Sequence, residues 1–141
     1  MRNALLASAA IFALSACLSG SDDSGTDPLP PGSSFAVLAI DGEAAPDGTT
    51  FELGPDDAIA GQAPCNRFMA QLSRTDAGIS ISPGASTRMA CLDEARSEAE
   101  TRFLAALPEI TAASPGPEAG QVVLTDTGGA TRLLLGPLAA E

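Results

Sequence analysis

The residues that this chain could use for chemistry are few in kind. Its 141 residues include 7 arginines and 18 acidic residues, but no histidine, lysine, tryptophan or tyrosine. Without histidine the chain can form neither a Ser-His-Asp triad nor a Cys-His pair, and it has no imidazole to bind a metal. Without lysine it can form no Schiff base. These absences predict a protein that is not an enzyme and that holds no metal or cofactor.

Carboxylates are the remaining groups that could carry out acid-base catalysis, as they do in glycoside hydrolases. Neighbouring residues of a strand point to opposite faces, and the helical candidates lie on a polar face, so none is predicted to share a pocket. The candidate pairs are Asp56 with Asp57, Asp93 with Glu94, and Glu98 with Glu100.

Length and charge restrict the class of protein further. A chain of 141 residues is long enough for one domain and too short for two of typical size. Its net charge of −11 argues against nucleic acid as a partner, because a phosphate backbone requires a basic surface.

The N-terminus has the layout of a secretory signal peptide. Arg2 precedes a run at 4–16 that is almost wholly apolar or small. At about 13 residues this run is shorter than a membrane-spanning helix, which needs roughly 20. The run ends in Leu14-Ser15-Ala16-Cys17, which resembles the lipobox of bacterial lipoproteins. The resemblance implies that Cys17 is lipidated and becomes the first mature residue. An ordinary secreted protein with an incidental Cys17 is the alternative.

The lipobox resemblance also implies a cellular location. Leu18 and Ser19 follow Cys17, with no aspartate to retain the protein in the inner membrane, so we expect an outer-membrane anchor that faces the periplasm. Residues 18–33 are rich in Ser, Asp, Gly and Pro, a composition typical of a flexible tether. The predicted organisation is a signal peptide at 1–16, a lipidated tether at 17–33 and a folded domain at 34–138.

Once Cys17 is assigned to lipid, Cys65 and Cys91 remain as an even pair in an oxidising compartment. Zinc would need four ligands, which the chain does not offer. We therefore predict a structural disulfide, worth roughly 3–4 kcal/mol in the chain-entropy model. A catalytic thiol is the alternative, with only Arg67 or Arg88 nearby to stabilise a thiolate.

The folded domain is predicted to be mainly β with one α-helix, as a small antiparallel β-barrel-like sheet. Apolar residues spaced three or four apart predict a helix that begins at Leu92 and stops at Pro108; they are Leu92, Ala95, Ala99, Phe103, Ala106 and Leu107. Strands are predicted at 35–40, around Phe51 and Leu53, at 58–63 and 67–72, around Ile79 and Ile81, and at 121–125 and 131–135.

Two segments around the cysteines carry a family resemblance. Residues 61–68, GQAPCNRF, have the form G-x-x-x-C-N-x-[FY], and residues 87–91, TRMAC, have the form T-x-M-x-C. Together with the Glu-rich helix and a closing L-x-L hairpin, they resemble the META domain, or HslJ-like, family over about residues 35–137. Phe35 stands where the family often has a tryptophan. The resemblance implies a barrel-type fold with one helix, no established enzymatic activity, and an envelope role often linked to stress or antibiotic tolerance.

Asn66, Thr87 and Arg88 are the motif residues beside the cysteines. Asn66 suits a tight turn, the Thr87 hydroxyl could cap the amides of the following helix, and Arg88 could pair with a carboxylate. The functional alternative is that these three side chains converge on one surface around the disulfide and contact a partner.

These observations predict a monomeric, non-enzymatic outer-membrane lipoprotein that acts in envelope stress response or maintenance through contacts with an unidentified envelope protein. The alternative is a small β-barrel inhibitor or ligand-binding lipoprotein. An interior filled by Phe51, Phe68, Leu72 and Phe103 would exclude the small-molecule version. An exposed apolar or arginine-centred loop would favour the inhibitor version.

Overall fold

Nine strands and one α-helix make up residues 27–138, the part of the chain that the computed structural model describes. The predicted signal peptide, Cys17 and most of the tether lie outside the described residues. Within 27–138, no helix is long and apolar enough to cross a membrane. The elements are β1 (Ser34–Ile40), β2 (Glu43–Ala44), β3 (Thr50–Leu53), β4 (Ala58–Gln62), β5 (Arg67–Thr75), β6 (Gly78–Ser86), α1 (Glu94–Ala106), a 3₁₀ turn (Leu107–Glu109), β7 (Ile110–Pro115), β8 (Val122–Asp126) and β9 (Thr131–Pro137).

The strands form one antiparallel sheet that nearly closes on itself. Their order is β6-β5-β4-β3-β1-β9-β8-β7, with β2 paired to the end of β1. The end strands β6 and β7 lie against each other, since a Cβ atom on Gly78 would collide with the carbonyl of Thr111. Gly78 also has a φ of 136°, which favours glycine. The predicted fold class, mainly β with one helix in a barrel-like sheet, is confirmed.

The interior of this barrel is filled. Along β5, Phe68, Ala70 and Leu72 point inward at every second position while Met69 is exposed. Phe51, Phe68, Leu72 and Phe103, whose burial distinguishes a filled interior from an open one, are each at most 2% exposed. Burying a side chain of this kind contributes about 1.5–3 kcal/mol to the free energy of unfolding.

The helix is fixed to the sheet by Phe103. Its ring meets that of Phe68 edge-to-face, with centroids 4.9 Å apart. Ala99 and Ala106 lie on the same buried face of α1, and Leu107 and Ile110 continue it toward β7. The helix therefore contributes its apolar face to the same core as the strands.

The helix begins at Glu94 and not, as predicted, at Leu92. Asp93 is the N-cap, and its carboxylate accepts hydrogen bonds from the backbone amides of Ala95 at 2.9 Å and Arg96 at 3.3 Å. Leu92 therefore precedes the helix, and its side chain is fully exposed. Its spacing from Ala95 and Ala99 matched a helical period by coincidence.

The N-terminal boundary of the domain also differs from the prediction. Leu29, assigned to the flexible tether, is 0% exposed and belongs to the core. The amide of Gly32 donates to the carbonyl of Leu53 at 2.8 Å, and the guanidinium of Arg74 donates to the carbonyl of Leu29 at 2.6 Å. The folded domain therefore includes residues 27–33, and the boundary at residue 34 was placed too late.

Two strands were not predicted. β2 is only two residues long. β7 has the sequence ITAASP, in which Ile110 is the one large apolar residue, so its pattern is too weak to indicate a strand. It is held in the sheet by its pairing with β8.

Candidate functional site

The disulfide and the motif residues beside it form the best-defined polar cluster of the domain. Cys65 and Cys91 are bonded, with their Cα atoms 5.8 Å apart, which is the pairing that the cysteine count predicts. The bond joins the loop between β4 and β5 to the segment that precedes α1. This segment has no regular secondary structure from Thr87 to Leu92, so it depends on side-chain contacts for its position.

Asn66 provides most of those contacts. Its side chain is 6% exposed, and its carbonyl oxygen accepts hydrogen bonds from the amide of Met89 at 2.8 Å and from the hydroxyl of Thr87 at 3.1 Å. Its amide nitrogen donates to the carboxylate of Glu100 and to the carbonyl of Met89. A buried side-chain amide whose oxygen and nitrogen are both hydrogen-bonded in this way holds the segment before α1 against the loop between β4 and β5. We call this set of contacts the joint.

Glu100 lies on the other side of this joint. Its Oε2 atom accepts from the backbone amides of Cys65 at 2.6 Å and Asn66 at 2.8 Å. The sequence predicts Glu100 on the polar face of the helix, whereas in the structure it is half-buried against the motif loop. It was missed because its partners are loop amides more than thirty residues earlier in the chain, for which periodicity gives no signal.

Thr87 joins two strands' ends rather than capping the helix. Its Oγ1 accepts from the amide of Arg67 at 3.1 Å and donates to Asn66. The amide of Thr87 in turn donates to the carbonyl of Arg67 at 3.0 Å. Asp93 already occupies the N-cap position, so the predicted capping role of Thr87 is corrected.

The first glycine of the motif and an arginine of the helix complete the joint. A Cβ atom on Gly61 would collide with the backbone carbonyl of Thr50 and lie 3.0 Å from the ring of Phe68, so a larger residue does not fit. Arg96 donates to the carbonyls of Pro64 at 2.7 Å and Asp47 at 3.1 Å, which ties the motif loop to α1.

The carboxylate pairs considered for catalysis are taken up by structural contacts. Asp57 pairs with Arg74 at 3.0 Å, Asp93 caps α1 and Glu100 binds loop amides. In each pair at least one member is therefore already bonded within the domain. Among residues 27–138, no group of three or more Cys, Asp or Glu residues is arranged to hold a metal ion.

Arg74 connects the start of the domain to β5. It pairs with Asp27 at 2.6 Å and with both oxygens of Asp57, at 3.1 Å from its Nε atom. The hydrogen bond to Asp57 is the main cause that raises the pKa of Arg74 above its ordinary value, against the opposing effect of its burial. The guanidinium is therefore held in its charged form, and it anchors residues 27–29.

Arg67 and Arg88 differ from the other arginines of the described region. Arg74, Arg102 and Arg132 form ion pairs, and Arg96 binds carbonyls. Within residues 27–138, the guanidinium groups of Arg67 and Arg88 make no ion pair and no hydrogen bond. Arg88 thus does not form the carboxylate pair that was predicted for it.

Exposed apolar side chains line the depressions that contain these two arginines and the depression next to them. Met69, Met89 and Leu92 are 59%, 68% and 102% exposed. A groove of about 280 Å³ is lined by Arg67, Met69 and Thr87, and a depression of about 470 Å³ is lined by Thr87, Arg88 and Met89. Met89 and Leu92 line a third depression beside the disulfide. We call Arg67, Met69, Arg88, Met89 and Leu92 the Arg67–Arg88 patch.

A nearly closed antiparallel barrel, with a disulfide linking its motif loop to the segment before its single helix, defines a small domain of the META type. The META domain family model matches residues 28–136, and the chain belongs to this family. Membership supports an envelope-associated domain.

Two solved structures are similar to this chain. An NMR structure of a protein from Burkholderia xenovorans is 25% identical, covers 81% of this chain and 90% of its own, and has a TM-score of 0.63. A second NMR structure is 22% identical, covers 79% and 94%, and has a TM-score of 0.57, which shows a likeness of fold. A comparison with curated proteins found no match.

Proposed function

We propose that this protein is a non-enzymatic lipoprotein anchored through Cys17 to the periplasmic face of the outer membrane. Its META domain acts in envelope maintenance or stress response by binding another envelope protein. The observation that carries the proposal is that some residues of the motif segments make structural contacts while others do not. Asn66, Thr87 and Glu100 bond one another and the backbone, whereas the exposed guanidinium groups of Arg67 and Arg88 have no bonding partner among residues 27–138.

The filled interior supports action through the surface. A barrel whose core is occupied by Phe51, Phe68, Leu72 and Phe103 has no room there for a small-molecule ligand, so the small-molecule version of the alternative is set aside. In each carboxylate pair that could serve a hydrolase, one member has a structural partner. What the domain offers to other molecules is its outer face.

Membrane attachment is tested by fractionation of cells that express the full chain. The wild-type protein is expected in the outer-membrane fraction and the Cys17→Ala variant in the soluble periplasmic fraction. Cys65→Ala serves as the matched control, because it removes a cysteine without removing the lipobox. Membrane retention of Cys17→Ala would refute the lipid anchor.

Partner binding is tested by crosslinking in intact cells. The wild-type chain is expected to yield one defined crosslinked protein, and Phe103→Ala, which removes a core side chain, is expected to lose it. Crosslinks that are spread over abundant neighbours and unchanged by Phe103→Ala would contradict action through a folded-domain contact.

Inhibition of an envelope hydrolase is the second candidate. The exposed segment from Thr87 to Leu92, with Arg88 and Met89 at its centre, is the type of loop that an inhibitor inserts into a cleft. Purified protein would be added to envelope extracts while peptidoglycan and peptide hydrolysis are measured. A dose-dependent loss of one activity, abolished in Arg88→Gln, would favour this candidate over a passive contact.

A further inference from the structure

Arg67 and Arg88, whose guanidinium groups have no bonding partner among residues 27–138, are close to each other in space. The amide of Arg67 donates to the hydroxyl of Thr87, the amide of Thr87 donates to the carbonyl of Arg67, and Arg88 follows directly. In a chain with a net charge of −11, these two arginines thus both adjoin Thr87. Glu100 lines the same depression as Arg88, but its carboxylate is bonded to the motif loop, so the two guanidiniums would attract the carboxylates of a partner.

Apolar surface adjoins this charge. Met69, next but one to Arg67 on β5, and Met89, next to Arg88, are both more than half exposed. Methionine is well suited to binding surfaces because its side chain is flexible and polarizable. The patch therefore combines cations that could orient a partner with apolar area that could hold it.

The patch is also held in one shape before any partner arrives. Cys91 is bonded to Cys65, and the amide of Met89 is bonded to the buried side chain of Asn66. A segment without helix or strand that is fixed at both places loses little conformational entropy when it binds. This is the arrangement expected of a docking surface rather than of a solvated loop.

The patch lies far from the point at which the tether joins the domain. Arg74, near the far end of β5, pairs with Asp27, where the described chain begins. Arg67 begins the same strand, so the patch lies about 23 Å from that end at the usual rise per residue of a strand. Ten residue steps from Cys17 to Asp27 reach at most about 35 Å. The patch therefore lies at the end of β5 that is remote from Asp27, where the tether joins the domain.

We infer that the Arg67–Arg88 patch docks an exposed protein segment in which acidic residues flank apolar side chains. The inference rests on the proposed function, since it names the surface and the partner chemistry of that protein contact. The guanidiniums of Arg67 and Arg88 pair with the carboxylates of the segment. Met69, Met89 and Leu92 cover its apolar side chains.

The direct test is a titration of the isotopically labelled full chain, carrying Cys17→Ser and held in mild detergent, followed by NMR. The acidic probe is a tetrapeptide with two leucines flanked by aspartates, and the neutral probe has asparagines instead. The acidic probe is expected to shift the backbone amides of residues 67–69 and 85–92. The neutral probe should bind at least fivefold more weakly, and added salt should weaken only the acidic one.

Three double variants complete the design. Arg67→Gln with Arg88→Gln should raise the dissociation constant for the acidic probe at least tenfold. Ser82→Glu with Ser114→Glu changes the net charge equally at exposed strand positions outside the patch and should leave the constant within twofold. Met89→Ser with Leu92→Ser tests the apolar component and should weaken both probes.

Four results would overturn the inference. The first three are shifts centred elsewhere on the domain, equal binding of both probes, and equal loss in the two charge-changing variants. A gain in probe affinity on deletion of residues 18–26 would assign the patch to the acidic tether of the chain itself, which also contradicts the inference. If crosslinking in cells captures a partner that Arg67→Gln with Arg88→Gln does not affect, the proposed function stands and only this surface is wrong.

Discussion

Glu100 and Asn66 are joined by a paired contact across the disulfide-linked loop. One oxygen of the Glu100 carboxylate accepts from the backbone amide of Asn66 at 2.8 Å, and the other accepts from its side-chain amide. The first oxygen also accepts from the amide of Cys65 at 2.6 Å. A single helical side chain thus satisfies three donors of the motif loop, and the loop orients the Arg67–Arg88 patch.

The first prediction concerns this contact. Glu100→Ala would leave half-buried amides without an acceptor, so we expect it to lower the free energy of unfolding by about 1.5–3 kcal/mol. Glu98→Ala, on the exposed face of the same helix, should stay within about 0.5 kcal/mol of wild type. Urea unfolding followed by circular dichroism measures both. Equal effects of the two variants would mean that Glu100 is an ordinary surface residue.

The second prediction concerns the disulfide. The double variant Cys65→Ala with Cys91→Ala should lose about 3–4 kcal/mol of stability, because the unfolded chain regains the entropy that the closed loop removes. Cys17→Ala is the matched control and should leave the stability of the domain unchanged. Mass analysis without reductant should find Cys65 bonded to Cys91; free thiols at both positions would contradict the pairing.

The third prediction concerns the N-terminal boundary. Leu29 is fully buried, so Leu29→Ala should lower the free energy of unfolding by about 2–5 kcal/mol through lost apolar contacts and a residual cavity. Leu138→Ala provides the comparison at the other end of the domain, where the side chain is 42% exposed and an effect within about 0.5 kcal/mol is expected. Thermal unfolding of the two variants would show whether residues 27–33 belong to the cooperative unit; a Leu29→Ala midpoint no lower than that of Leu138→Ala would exclude them.

The fourth prediction concerns the start of the helix. Asp93→Ala removes the acceptor for two backbone amides in the first turn of α1, so it should lower the free energy of unfolding by about 1 kcal/mol. Leu92→Ala should have almost no effect, because the Leu92 side chain contributes nothing to the core. A helix that began at Leu92 and buried it would give the reverse order. Chemical denaturation of the two single variants therefore distinguishes the two helix boundaries.

Much of the fold could be predicted from the sequence because its signals are local. The alternation of Phe68, Ala70 and Leu72 identifies β5, and the spacing of Ala99, Phe103 and Ala106 identifies the buried face of α1. β7 escaped prediction because small residues such as those of ITAASP take the strand conformation only when a neighbouring strand supplies the hydrogen bonds.

The candidate site was predicted only in part, for a related reason. The motif residues Asn66, Thr87 and Arg88 were identified, but their roles were not, because each role depends on a residue distant in sequence. Thr87 bonds to Arg67 and Asn66, and the guanidinium of Arg88 stays unpaired within residues 27–138. Neither outcome follows from neighbouring residues.

The sequence by itself therefore determined the family, the barrel class, the position of the helix and the cysteine pair, because periodicity and residue type act over a few positions. The tertiary structure alone decided that Glu100 binds the motif loop, that Leu29 is buried, and that Arg67 and Arg88 both adjoin Thr87 and share depressions with exposed methionines. These outcomes depend on contacts between residues that are far apart in the sequence. The closed sheet brings those residues together, and no pattern among neighbouring residues indicates such contacts.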